Sequence, residues 1–122
     1  MPSRSEARIR TAYEAFNRRD IDGVLVELTP DVAWANGMDG GFVHGHAALR
    51  DYWTRQWQQI DPRVTPVATT DLADGRVDVE VMQTVRDLAG AVLAERTVHH
   101  VYTVEDGKFS RMEIVDRESG PA

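Results

Sequence analysis

Apolar residues recur at helical spacing near the start of the chain. Ile9, Ala12, Tyr13 and Phe16 share one side, with Arg8, Arg10, Glu14 and Arg18 on the other. Ser3 and Glu6 ahead of them have capping-box spacing, so the pattern predicts a helix that satisfies its own first N–H groups. Asn17-Arg18-Arg19-Asp20 interrupts it. Asp20 then caps a second, shorter helix with Ile21, Val24, Leu25 and Leu28 as its apolar set. Pro30 ends that helix, because proline removes a donor and pushes the preceding residue out of the helical region. Asp31–Asn36 reads as a short strand and Gly37–Gly45 as a glycine-rich loop. From His46 the helical period returns: Leu49, Trp53, Trp57 and Ile60 form one stripe, stopped by Asp61-Pro62.

Beyond Pro62 the period changes to two. Val64–Leu72 is a strand whose Pro66 favours an edge or bulged position. Arg76–Arg86 alternates, with Val77, Val79, Val81 and Val85 on one face and Asp78, Glu80, Met82 and Thr84 on the other. A turn at Asp87–Gly90 leads into a strand over about Ala91–Val104. Asp106-Gly107 is a hairpin signal, and Phe109–Asp116 is the last strand, followed by a polar tail. Helices first and a strand meander afterwards predict an α+β fold: three N-terminal helices packed on a curved, mostly antiparallel sheet.

Composition narrows the function classes. The 122 residues suit a single domain over 1–122, and 42% of them are hydrophobic. With 14 Lys+Arg against 20 Asp+Glu the net charge is −6, which argues against a nucleic-acid partner. The absence of cysteine excludes a disulfide scaffold, a thiolate nucleophile and Cys-ligated zinc. Apolar runs are too short for a membrane-spanning helix, and the N-terminus has no signal-peptide character. The expectation is a cytoplasmic domain with no membrane partner. His44 and His46, and the adjacent His99 and His100, do not make a metal site, since neighbouring strand residues point to opposite faces. No metal or cofactor is expected.

Four segments in order carry a resemblance: Tyr13–Gly23, Pro30-Asp31-Val32, Gly45–Arg50 and Val101–Phe109. In these the chain resembles the nuclear transport factor 2-like superfamily, and within it the SnoaL-like and ketosteroid isomerase-like proteins. The resemblance implies a cone-shaped sheet around a pocket and a homodimer packed through the sheets. Steroid isomerase chemistry needs a carboxylate base, a helix tyrosine and a protonated aspartic acid. Aligned residue by residue, those positions fall at Asn36, Ala12 and His100, and all three depart. Tyr13 lies about 100° around the helix from Ala12 and is not expected to substitute.

The same resemblance places His100 in the pocket, where it would serve as acid or base, with Asp78 or Glu80 orienting it. A three-residue loop, Leu88-Ala89-Gly90, sets Asp78 across from His100, whereas a two-residue loop brings His99 beside Glu80; both registers stand. Simple patterning offers a third outcome, in which the valines fill the core and Asp78 and His100 lie at the surface. Phe16, Trp34, Trp53, Met82 and Tyr102 would line a largely apolar cavity, and Asn36 would hydrogen-bond a ligand oxygen. Glu113 and Asp116 are further carboxylates; a two-residue Asp106-Gly107 turn puts Glu113 near His100, whereas a three-residue turn puts Met112 there. The expected partner is a small hydrophobic organic ligand. A cofactor-independent isomerase, dehydratase or cyclase and a non-catalytic binding dimer are both compatible with these residues.

Overall fold

The structure is a computed structural model that describes residues 4–37 and 39–115. Helix α1 spans Arg4–Asn17, α2 Ile21–Leu25 and α3 His46–Trp57. The strands are β1 Leu28–Ala35, β2 Phe42–His44, β3 Asp61–Asp71, β4 Val77–Arg86, β5 Val92–Glu105 and β6 Lys108–Val115. They form one six-stranded sheet in the order β2-β1-β6-β5-β4-β3, antiparallel except for the parallel pair β1–β6. The α+β class and the mostly antiparallel sheet are thus as expected. The capping role of Ser3 and the side chain of Asp116 lie outside the described residues.

Several boundaries differ from the pattern. Pro30 lies inside β1 rather than simply closing a helix; it is exposed, where the β1–β6 register is irregular between Leu28 and Ala33. Phe42–His44, expected as loop, pairs with β1 as a short edge strand, so β1 and β2 separate α2 from α3. Pro66 behaves as expected: β3 is the opposite edge and its register shifts between Pro66 and Ala68. Asp106 and Gly107 both take positive φ, 51° and 79°, the geometry that a two-residue hairpin turn demands.

One apolar core lies between the helices and one face of the sheet. Ile9, Ala12 and Tyr13 of α1 and Leu49, Tyr52 and Trp53 of α3 pack against Val77, Val79, Val81, Val98, Tyr102 and Met112. The valine face of β4 therefore points inward, as simple patterning predicts. Neither His100 nor Asp78 follows the rest of that pattern, because both are buried, His100 on the inner face and Asp78 on the outer one.

The reason is a bulge in each hairpin. Near its turn, β4–β5 pairs Arg86 with Val92, the register of a three-residue loop; a shift between Val85 and Arg86 then adds one residue to β5. Every later pair moves by one, so Val79 faces His100, Asp78 faces Val101 and Glu80 faces His99. The Asp78–His100 pairing is corrected accordingly. In β5–β6 a second shift between Thr103 and Val104 sets Ile114, rather than Glu113 or Met112, across from His100. A one-residue slip exchanges faces, so these two irregularities decide which side chains meet the core.

Candidate functional site

The core leaves a cavity of about 70 Å³ between α1, α3 and the inner sheet face. Helix periodicity puts Ala12, Tyr13 and Phe16 in its wall, and α3 adds Tyr52, Trp53 and Gln56. Strand alternation brings His100 and Tyr102 in from β5, Gln83 from β4, and Met112 and Ile114 from β6. Trp34 closes the β1 side and meets Trp53 edge-on at 5.3 Å between ring centroids, while Phe16 meets Trp53 edge-on at 5.8 Å. Among the described residues, no Asp, Glu, Lys or Arg lines this cavity.

Its polar centre is a chain of three side chains. The Tyr13 hydroxyl lies 2.6 Å from His100 Nδ1 and 2.8 Å from the Tyr102 hydroxyl. His100 Nε2 makes no hydrogen bond to a described residue. Burial drives the His100 pKa down to about 4, helped by the neighbouring His99, so the imidazole is neutral at pH 7. Burial also raises both phenols, keeping Tyr13 and Tyr102 protonated. Tyr52 forms a second polar point, its hydroxyl accepting from the Gly37 backbone N–H at 3.1 Å.

Of the residues singled out by sequence, His100, Phe16, Trp34, Trp53 and Tyr102 converge on this cavity. Asp78, Glu80 and Met82 are corrected to the outer face. There Asp78 accepts from His99 Nδ1 at 2.8 Å, Glu80 stands across from His99 and Met82 across from Thr97. Asn36 is corrected as well: it is absent from the cavity wall, and its carbonyl oxygen accepts from the Asp39 N–H at 2.8 Å, shaping the β1–β2 turn. Glu113 is held by Arg111 Nε at 2.7 Å on the outer face.

Tyr13, Gln56 and Gln83 were missed. Tyr13 belonged to the apolar stripe of the first helix, and a buried tyrosine normally needs a partner for its hydroxyl, which was the available signal. It enters the cavity alongside Ala12 because a helix face about 100° wide accommodates two consecutive positions. Gln83 continues the inward alternation of Val77, Val79 and Val81, and only its polarity hid it.

Neither a metal cluster nor a membrane helix is found: no group of three or more His, Asp or Glu of metal-binding arrangement exists among the described residues. None of the described helices is long and apolar enough to cross a membrane. The profile of the SnoaL-like domain matches residues 9–112. Among solved structures, TerC co-crystallized with polyporic acid is 31% identical with a TM-score of 0.81, covering 94% of this chain and 92% of that one. An NTF2-like protein of unknown function from Burkholderia pseudomallei is 30% identical with a TM-score of 0.82, covering 95% and 92%. A putative polyketide cyclase from Xanthomonas campestris is 25% identical with a TM-score of 0.78, covering 91% and 88%. No protein of curated function matches.

Proposed function

We propose, for a chain that belongs to the SnoaL-like domain family, that the cavity binds a small, largely apolar organic molecule and that His100 hydrogen-bonds an oxygen of it, stabilising the negative charge that develops there when solvent takes a proton from the adjacent carbon. The reaction class is isomerisation, dehydration or cyclisation. The observation that carries this reading is a neutral, buried imidazole that lines an aromatic-walled cavity and whose Nε2 makes no hydrogen bond to a described residue. A fixed donor beside a ligand oxygen stabilises the charge that develops on it far more in such an apolar site than in water. Similarity to TerC, seen with polyporic acid, and to a putative polyketide cyclase supports the ligand class.

The volume sets a condition. A cavity of about 70 Å³ is smaller than the roughly 150 Å³ that admits benzene in an engineered protein core. Binding a ring therefore requires side chains of the wall to swing outward; Ile114, 37% exposed, is the one with most freedom. A second reading, non-catalytic binding, is favoured by one fact: no carboxylate touches His100 and no acidic side chain lines the cavity among the described residues.

Two measurements separate these readings. Titration with polyporic acid, followed by tryptophan fluorescence, should saturate, because Trp34 and Trp53 form the wall. Absence of a saturable signal with the wild type counts against the ligand site. NMR of 2-tetralone in D2O should show protein-dependent deuterium uptake next to the carbonyl, abolished in His100→Ala. Binding without exchange supports the non-catalytic reading.

Self-association through the outer sheet face belongs to the same proposal, since the exposed Phe42 and the half-buried Met82 present apolar surface there. Sedimentation as a monomer at micromolar concentration would remove it.

A further inference from the structure

We propose that Tyr102 and Tyr13 act in series as positioning residues that hold His100 with its proton on Nε2. The cavity then takes ligands that present an oxygen acceptor, a carbonyl or an enolate. The ligand class rests on the reading of the cavity as a binding site; the positioning role does not.

Protons along the chain Tyr102–Tyr13–His100 can run in either of two directions. In one direction Tyr102 donates to the Tyr13 oxygen and Tyr13 donates to His100 Nδ1. All phenolic protons are then used, and the sole donor left over is Nε2–H, on a ring that lines the cavity. In the opposite direction Nδ1–H donates to Tyr13 and Tyr13 donates to Tyr102. That leaves two strong groups unpaired, the Tyr102 O–H and the Nε2 lone pair, and Tyr102 makes no other hydrogen bond to a described residue that could absorb its proton. Each buried group without a partner is costly, so the first direction prevails.

Acid–base character points the same way. An imidazole nitrogen is a stronger acceptor than a phenol oxygen, and the shorter of the two contacts, 2.6 Å, is the one that ends on Nδ1. The ring nitrogen facing the ligand is fixed by the hydrogen bond that the other nitrogen makes. Tyr13 on α1 and Tyr102 on β5 thus read out as one device assembled across the core. Its product is a neutral donor suited to an oxygen on which negative charge develops.

The test begins without ligand, using the uniformly ¹⁵N-labelled chain at pH 7. Long-range ¹H–¹⁵N correlations give the tautomer of His100, whose signals are identified by their loss in His100→Gln. The expected pattern is a pyrrole-type Nε2 and a hydrogen-bonded, pyridine-type Nδ1; a pyridine-type Nε2 overturns the proposal. In Tyr13→Phe the Nδ1 resonance should move to that of an unbonded nitrogen. Should that variant not fold, Tyr102→Phe should move it in the same direction by less, and an unmoved Nδ1 in the folded variants overturns the positioning role. Ligand class is read with a nearly isosteric pair, acetophenone and ethylbenzene. The wild type should bind the ketone about tenfold tighter, and His100→Phe, which keeps a ring but has no N–H, should lose that preference. Equal affinities overturn the acceptor class. Failure of both probes to bind overturns the binding-site reading instead, leaving the tautomer result to stand or fall alone.

Discussion

His99 and His100 are consecutive on one strand and occupy opposite worlds. On the inner face, His100 is 8% exposed, meets only a phenol and apolar surface, and is held neutral. On the outer face, His99 meets the Asp78 carboxylate, and Arg111–Glu113 forms a second ion pair on the same side of the sheet. The same side chain is therefore a neutral hydrogen-bonding group on one face and a partner for a carboxylate on the other. Strand alternation separates the two, and the bulge that shifts β5 by one residue decides which of them faces the core. Had the register run on unbroken from the turn, Asp78 would have faced His100, and the protein would hold an Asp–His pair in place of the tyrosine chain.

The sharpest way to test this asymmetry is to put the same charge on each face. Val81 is fully buried against Val98, whereas Met82 is half-buried on the outer side. Val81→Asp should destabilise the fold by about 4 kcal/mol or more, because an unpaired buried carboxylate is among the costliest substitutions. Met82→Asp should cost no more than about 1 kcal/mol. Urea midpoints of the two variants measure the difference. Equal losses would mean that the outer face is as dry as the inner one, as it would be inside a tight dimer.

Acid should find His100 before it finds anything else in the cavity wall. The groups facing its ring are Tyr13 from α1 and Tyr102 from β5, with His99 adjacent in sequence and turned away; both phenols stay neutral through this range. The unfolded chain takes up a proton on this histidine near pH 6.5, whereas the folded one waits until about pH 4. Between those values the unfolded state binds more protons, so stability falls as the pH is lowered and levels off below about 4. The loss amounts to about 3 kcal/mol over the window. In His100→Asn that acid slope should disappear, while His99→Asn should keep it. A slope that instead follows His99 would reverse the comparison.

Much of this asymmetry was legible in the residues, and the part that was not has a physical cause. The helix stripe of Ile9, Ala12, Tyr13 and Phe16 and the alternation of Val77, Val79 and Val81 both report which face meets the core, because burial requires the period. Trp34, Trp53 and Phe16 followed from the same logic joined to a family resemblance. The pairing partners of His100 did not. Hairpin register was counted outward from the turn, and a bulge leaves no mark in the sequence comparable to the Asp106-Gly107 turn. One shift turned His100 inward while Asp78, Glu80 and Met82 stayed opposite the valines on the outer face, and the other turned Glu113 outward. Tyr13 was visible as a core residue; its hydroxyl became functional only once His100 and Tyr102 were known to lie opposite it.

The smallest expected effect is the most telling about function. Asp78→Asn removes the charge of the outer pair while leaving an amide oxygen where the His99 Nδ1–H already donates. Side-chain exposures of 19% for His99 and 11% for Asp78 make the pair neither solvent-screened nor fully desolvated, so the loss of stability should be about 1 kcal/mol or less. Binding of acetophenone and deuteration of 2-tetralone should not change at all, because the sheet stands between Asp78 and the cavity. If Asp78→Asn abolished either one with the urea midpoint intact, the carboxylate would be acting through the strand on His100. The division between a neutral inner face and a charged outer face would then be wrong as an account of the chemistry, although it would remain right as an account of the packing.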